Sequence, residues 1–174
     1  MIRTSWRPLG RAAALAATLA LLVIGVATPA HAETAEEHCV ILLGDDADTV
    51  VCAETPDAAV QRFTAETGYT VTESADVVGP LVVYSIAQLF ADAGYGGSSY
   101  LITRGTACNG VTLSSIADLG TIGLNDAVSS FTTYSTCTVR LFVDINYGGS
   151  SYGYATSQSS LPTFNDVASS ARAR

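Results

Sequence analysis

The sequence contains no lysine: all 8 of its basic residues are arginine, set against 16 acidic ones in 174 residues. A lysine Schiff base and a lysine-dependent phosphate loop are therefore excluded, and a polybasic nucleic-acid face has too few cations to form. Methionine and tryptophan occur once each, as Met1 and Trp6, and histidine twice, as His31 and His38. Arg3, Arg7 and Arg11 precede an uncharged run from Ala12 to Ala27, and Ala30-His31-Ala32 has the small-x-small form of a signal-peptidase site. That run is 16 residues long, whereas a membrane-spanning helix needs about 20. Residues 1–32 are accordingly read as a removable secretion signal, and the protein as extracellular, with no membrane association after cleavage.

Beyond Ala32 the chain has 142 residues, with 5 arginines against all 16 acids, a formal charge of −11. His38 is then the sole imidazole. It stands beside Cys39 in a segment with Glu36 and Glu37, which suits an exposed structural histidine better than a general base. The length fits one domain, or one domain with a small appendage. Cys39, Cys52, Cys108 and Cys137 all lie in this part. An even count in an oxidising compartment implies two disulfides, with Cys39–Cys52 and Cys108–Cys137 favoured among three pairings because each stays within a local unit. No Cys-x-x-Cys or Cys/His spacing supports a metal–thiolate site.

Residues 39–53 place two apolar, β-branched runs around Gly44-Asp45-Asp46-Ala47-Asp48, which predicts a hairpin closed by the first disulfide. The three aspartates lack the glycine and glutamate of an EF-hand loop, so they read as a solvated turn. Thr55-Pro56-Asp57 gives an N-cap with proline at the first helical position. A short helix then keeps Ala59, Val60 and Phe63 on one face until Gly68. Residues 33–68 thus form a hairpin–helix unit, and 69–84 a connector whose end, Leu81 to Tyr84, can pair as a strand.

From Ser85 onward the chain repeats itself. At an offset of 52, Leu89–Tyr100 (LFADAGYGGSSY) aligns with Leu141–Tyr152 (LFVDINYGGSSY), identical at 9 of 12 positions. At an offset of 40, Asn125-Asp126-Ala127-Val128-Ser129-Ser130 aligns with Asn165-Asp166-Val167-Ala168-Ser169-Ser170. Hairpin, acidic-serine loop, hairpin, acidic-serine loop is the order of a duplicated β unit. Each hairpin carries aromatic-x-x-x-x-aromatic-x-Gly, met by Phe90, Tyr95 and Gly97 and by Phe142, Tyr147 and Gly149. The aromatics can pack on one another over a folded turn while glycine supplies a positive φ. Short Tyr-, Val- and Thr-rich strands between Gly and Ser clusters argue for an antiparallel Greek-key sandwich.

At these residues the chain resembles a microbial βγ-crystallin domain, in which two Greek-key motifs each carry such a hairpin and a calcium loop of the form N/D-N/D-x-x-S/T-S. The resemblance covers about residues 85–174, with motif one at about 85–134 and motif two at about 137–174. It implies an all-β, two-motif Greek-key sandwich preceded by the small disulfide-closed hairpin and short helix. It also implies two calcium sites with reciprocal loops, each ion taking the hydroxyl of Ser129 or Ser169 and a side-chain oxygen from the other loop's pair, Asn165-Asp166 or Asn125-Asp126. Carbonyls near Ala127 and Val167 and one from each aromatic hairpin complete the implied shell. Such oxygen-only ligation suits a hard cation, at a modest affinity of roughly 10⁻⁶ to 10⁻³ M.

The chain ends in Ala-Arg-Ala-Arg, where a last strand should alternate apolar residues, so motif two is expected to close weakly. The resemblance favours a monomeric, non-catalytic calcium-binding structural module. The alternative is a secreted metalloprotease inhibitor of crystallin-like fold, with a secreted protease as partner and the Cys108-closed insertion Arg104–Ser114 as its contact loop. Catalysis ranks third: Asp92 and Asp144 could be cast as paired glycosidase carboxylates, but duplication accounts for them more simply. Tyr95, Tyr100, Tyr147 and Tyr152 could meet a sugar polymer, yet they are ordinary sheet composition.

Overall fold

A computed structural model describes residues 35–44, 48–111 and 114–174. The expected secretion signal at 1–32, Asp45 and Asp46 of the acidic turn, and residues 112–113 of the insertion lie outside the described residues. Two apolar runs form β1 (His38–Leu42) and β2 (Thr49–Ala53), antiparallel with Cys39 facing Cys52. A disulfide joins that facing pair. Helix α1 (Pro56–Thr67) starts where the Thr55 hydroxyl accepts the Ala58 N–H at 3.2 Å and stops where Gly68 takes φ 75°. Its buried residues are Ala59 and Phe63, four positions apart on one face.

The remaining strands are β3 (Thr70–Thr72), β4 (Val82–Asp92), β5 (Gly96–Arg104), β6 (Ser114–Ile116), β7 (Ser130–Thr133), β8 (Val139–Phe142), β9 (Ser151–Ala155) and β10 (Ser170–Ala173). The first sheet runs β2-β1-β5-β4-β3, with β7 also paired to β4; the second runs β6-β10-β8-β9. Each repeat lends one segment to the other's sheet. Strand β6 of the first repeat pairs with β10, and Gln158 of the second repeat bridges Phe131 in β7. This exchange is what makes two Greek keys one sandwich.

The N-terminal hairpin belongs to the same sheet as the first motif: β1 pairs parallel with β5, and β3 pairs parallel with the start of β4. Between the sheets lies the main core, including Leu89, Phe131, Leu141 and Leu161, all fully buried. A second cluster joins Val40, Val51, Val83 and Leu101, on the outer face of the first sheet, to Ala59 and Phe63 of α1. The layers are therefore helix, sheet, sheet. Among the described residues no helix is long and apolar enough to cross a membrane.

Two expectations are corrected. His38 is not exposed; it is buried, with Nδ1 at 2.9 Å from the Ser99 hydroxyl, because β1 is an interior strand between β2 and β5. The final Ala-Arg-Ala-Arg, expected to close its motif weakly, forms a strand paired on both edges. Strand β10 is interior to its sheet, hydrogen-bonded to β6 and β8, with Ala171 and Ala173 buried and the arginines on the outer face. Backbone bonds on both edges hold a strand whose inward side chains are only methyl groups.

Candidate metal centre

The first acidic-serine loop begins where the Asp118 carboxylate accepts the Gly120 N–H at 2.7 Å and caps a 3-10 turn at Leu119–Ile122. Leu119 and Leu124 plug the loop into the core. In the second loop Leu161 does the same. Both loops then reach their Asn-Asp pair with the aspartate in the left-handed region, Asp126 at φ 52° and Asp166 at φ 55°. Aspartate tolerates that conformation better than most residues. Val128 and Ala168, both fully buried, anchor the far side.

The two loops clasp each other with near-twofold symmetry. The Asp126 N–H donates to the Ala168 carbonyl at 3.0 Å and the Asp166 N–H to the Val128 carbonyl at 3.2 Å. Across the clasp, the Ser129 hydroxyl donates to Asp166 Oδ1 at 2.9 Å and the Ser169 hydroxyl to Asp126 Oδ1 at 3.4 Å. Within each loop, Asn125 Nδ2 donates to Asp126 Oδ2 at 2.8 Å and Asn165 Nδ2 to Asp166 Oδ2 at 2.6 Å. The Ser129 and Ser169 N–H groups reach the carbonyls of Phe90 and Phe142, at 3.0 and 2.8 Å, so each aromatic hairpin touches its own repeat's loop.

The structure thus brings Ser129 to Asp166 and Ser169 to Asp126, with Asn125 and Asn165 exposed beside them. Ala127 and Val167 are half-buried, and among the described residues no donor reaches their carbonyl oxygens. Neither Asp126 nor Asp166 has a cationic partner among the described residues. Each clasp therefore offers a carboxylate, a hydroxyl and carbonyl oxygens with one uncompensated negative charge. That donor set fits a hard cation and offers nothing to a soft one.

The hairpins stand as the residue pattern predicts. Phe90 and Tyr95 meet edge to face at 5.6 Å, and Phe142 and Tyr147 at 5.8 Å. Gly97 and Gly149 hold φ 70° and 67°. A Cβ there would lie 2.8 Å from Asp92 Oδ2 or 2.6 Å from Asp144 Oδ2, so each carboxylate is tucked under its own turn. Sequence reasoning missed the second serine of each loop. Ser130 donates to the Asp92 carbonyl at 2.5 Å and accepts from the Tyr95 N–H at 3.1 Å. Ser170 does the same with Asp144 at 2.6 Å and Tyr147 at 2.9 Å. The available signal was the recurrence of Ser-Ser, not a single serine, in both loops.

Other candidates resolve elsewhere. Tyr100 is buried in the core, and half-buried Tyr152 packs against that core, edge to face on Phe131 and Phe164. Glu37, Cys39 and Cys52 cluster within 4.8 Å, but both cysteines are in a disulfide and have no thiolate to give. The second disulfide, Cys108–Cys137, ties the insertion to the link between the two motifs.

Exchanged segments, paired folded hairpins and clasped loops together define a two-motif βγ-crystallin-like sandwich, extended by the N-terminal hairpin and helix. Among solved structures the chain is similar to a βγ-crystallin domain from Flavobacterium johnsoniae, at 29% identity over 51% of this chain and 93% of that one, with a TM-score of 0.41. It is also similar to a βγ-crystallin from Ciona intestinalis, at 26% identity over 49% and 94%, TM-score 0.38, and to a βγ-crystallin domain from Clostridium beijerinckii, at 19% identity over 51% and 95%, TM-score 0.40. No protein-family profile and no curated protein matches the chain.

Proposed function

We infer that this is a secreted, monomeric, non-catalytic module that binds two calcium ions, one at each clasp of the acidic-serine loops. The observation that carries this reading is the reciprocal pairing of Ser129 with Asp166 and Ser169 with Asp126. Serines and aspartates that only capped turns would bond within their own loop; these bond across, which focuses oxygen donors from two loops on one place. A folded-state ligand at a hundredfold excess over Kd stabilises by about 2.7 kcal/mol per site. Calorimetric titration of residues 33–174 with calcium should therefore give two sites, and a thermal melt should rise by several degrees over one in chelator. No heat and no shift would refute the reading. Asp126→Ala and Asp166→Ala should each remove much of the effect.

A second reading, a secreted metalloprotease inhibitor, draws on the insertion closed by Cys108–Cys137, where Val111 is 81% exposed. A constrained loop with an exposed apolar side chain suits a protease subsite. Titration against secreted metalloproteases decides it: inhibition that survives loss of both calcium loops would favour this reading, and no inhibition would discard it.

A further inference from the structure

The outer face of the second sheet carries three of the five arginines that follow residue 32. Arg140 on β8 and Arg172 on β10 are register partners, so two cations stand directly opposite on adjacent strands. That arrangement opposes stability. Arg174 follows on the same face by strand alternation. Among the described residues no carboxylate pairs with any of the three.

Their guanidiniums lie over aromatic rings instead. The Arg172 guanidinium lies 3.8 Å from the Tyr147 ring centre and 5.9 Å from that of Phe142. Arg140 lies 5.0 Å from Phe142 and 5.9 Å from Tyr154, and Arg174 lies 3.9 Å from Tyr154. The result is one continuous row of alternating rings and guanidiniums. Arg140 gives two hydrogen bonds to the Ser151 hydroxyl, at 3.1 and 2.7 Å, while the buried Arg172 Nε has no partner.

The duplication supplies an internal comparison. At the offsets of the two repeats, Gln88 and Thr132 occupy the places of Arg140 and Arg172, and Tyr134 that of Arg174. Gln88 and Thr132 are likewise register partners. Those positions are neutral: Gln88 and Tyr134 line a cavity beside α1, with the Tyr134 hydroxyl donating to Gln88 at 2.8 Å, and the Thr132 hydroxyl bonds that of Ser157. The fold therefore does not require arginines at these positions. They appear only on the second copy, where no α-helix packs among the described residues, in a segment whose formal charge is −11.

We propose that this arginine row binds a short acidic oligosaccharide through its sulfate or carboxylate groups. A guanidinium held over a ring still presents N–H groups at its rim: Arg140 keeps Nη1 beyond its two bonds to Ser151, and Arg174 is exposed, and such a planar fork matches an oxyanion. A row of such edges suits charges that recur along a short chain. The surrounding negative charge repels a long polyanion, and rings already covered by guanidiniums leave no surface for stacking bases.

The test is equilibrium binding of a labelled sulfated hexasaccharide to residues 33–174, in chelator and low salt, so that calcium cannot bridge. Binding is expected to weaken at least tenfold in the double variant Arg140→Gln/Arg172→Gln and to fall with added salt. The unsulfated hexasaccharide should not bind, and Arg62→Gln, on α1, should bind as wild type does. Arg174→Gln, at an exposed residue, should weaken binding about threefold and serves as the readout if the double variant does not fold. Unchanged affinity in these variants, or equal weakening by Arg62→Gln, overturns the assignment. Equal binding of a hexanucleotide overturns the sugar class. Competition by free sulfate at the same sulfate-group concentration reduces the row to a simple anion site and overturns it too.

Discussion

Ser169 and Ser170 are neighbours in sequence and should fail in different ways when truncated. Ser170→Ala removes a fully buried hydroxyl that serves two backbone groups, the Asp144 carbonyl and the Tyr147 N–H. Leaving a buried polar group unpaired costs about 1–3 kcal/mol. Because this hairpin end is only partly buried, the lower part of that range applies, and the two groups together cost about 2–3 kcal/mol. Tyr147 is also held at φ 64°, a conformation that persists only while its surroundings enforce it. For a unit of about 140 residues the unfolding entropy is roughly 0.3 kcal/mol per degree, so the Tm should fall by about 7–10 °C, in calcium and in chelator alike. Ser169→Ala loses one 3.4 Å bond to a carboxylate. In chelator that should cost about 1 kcal/mol, near 3 °C, but the rise produced by calcium should be largely lost. Thermal melts of wild type and both variants in each buffer are the assay. A Ser170→Ala protein that melts within about 3 °C of wild type, or a Ser169→Ala protein that keeps the full calcium response, would refute the division of roles.

Further outcomes follow from the same geometry. Gly149→Ala forces a side chain into φ 67° and against the Asp144 carboxylate; the conformation alone costs about 1–2 kcal/mol, and a circular-dichroism melt unchanged from wild type would contradict it. Replacing Cys108 and Cys137 together by serine opens a span of 29 residues, worth about 3.6 kcal/mol of loop-closure entropy, which a denaturant melt measures. Burial, and secondarily the charge of Glu73, pushes the Tyr134 phenol up to about 12. A folded-state pKa above the ordinary 10.0 means the neutral phenol favours the native state, so this contribution is intact below pH 10 and is lost as pH rises through 12. Phenolate absorbance should show Tyr134 ionising after the exposed tyrosines; a single step at the ordinary value with the protein still folded would disprove it.

Local chemistry was legible wherever a short segment contains its own instructions. The Thr55 cap, Pro56 and Gly68 bound α1 without reference to the rest of the chain. Alternation around the acidic turn placed Cys39 opposite Cys52. The recurrence of Phe90–Gly97 in Phe142–Gly149 announced two folded hairpins, and that of Asn125–Ser130 in Asn165–Ser170 announced two loops. These signals are local because caps, turns and positive-φ positions depend on residues a few places apart.

What tertiary structure alone decided is which edges and faces meet. Nothing near residue 38 says that β1 lies parallel to β5, 61 positions on, yet that pairing is what buries His38. Nothing in Ala-Arg-Ala-Arg says that a third strand closes its other edge, which is why a poor-looking strand is an interior one. The clasp of Ser129 with Asp166 and the row from Tyr147 to Arg174 likewise join residues from separate segments. Period-two alternation assigns a side chain to one of two faces. Whether that face meets a helix, a second sheet or water depends on chain closure over dozens of residues, and there the two copies of one duplicated unit came out differently: neutral beside α1 in the first, cationic and without an α-helix among the described residues in the second.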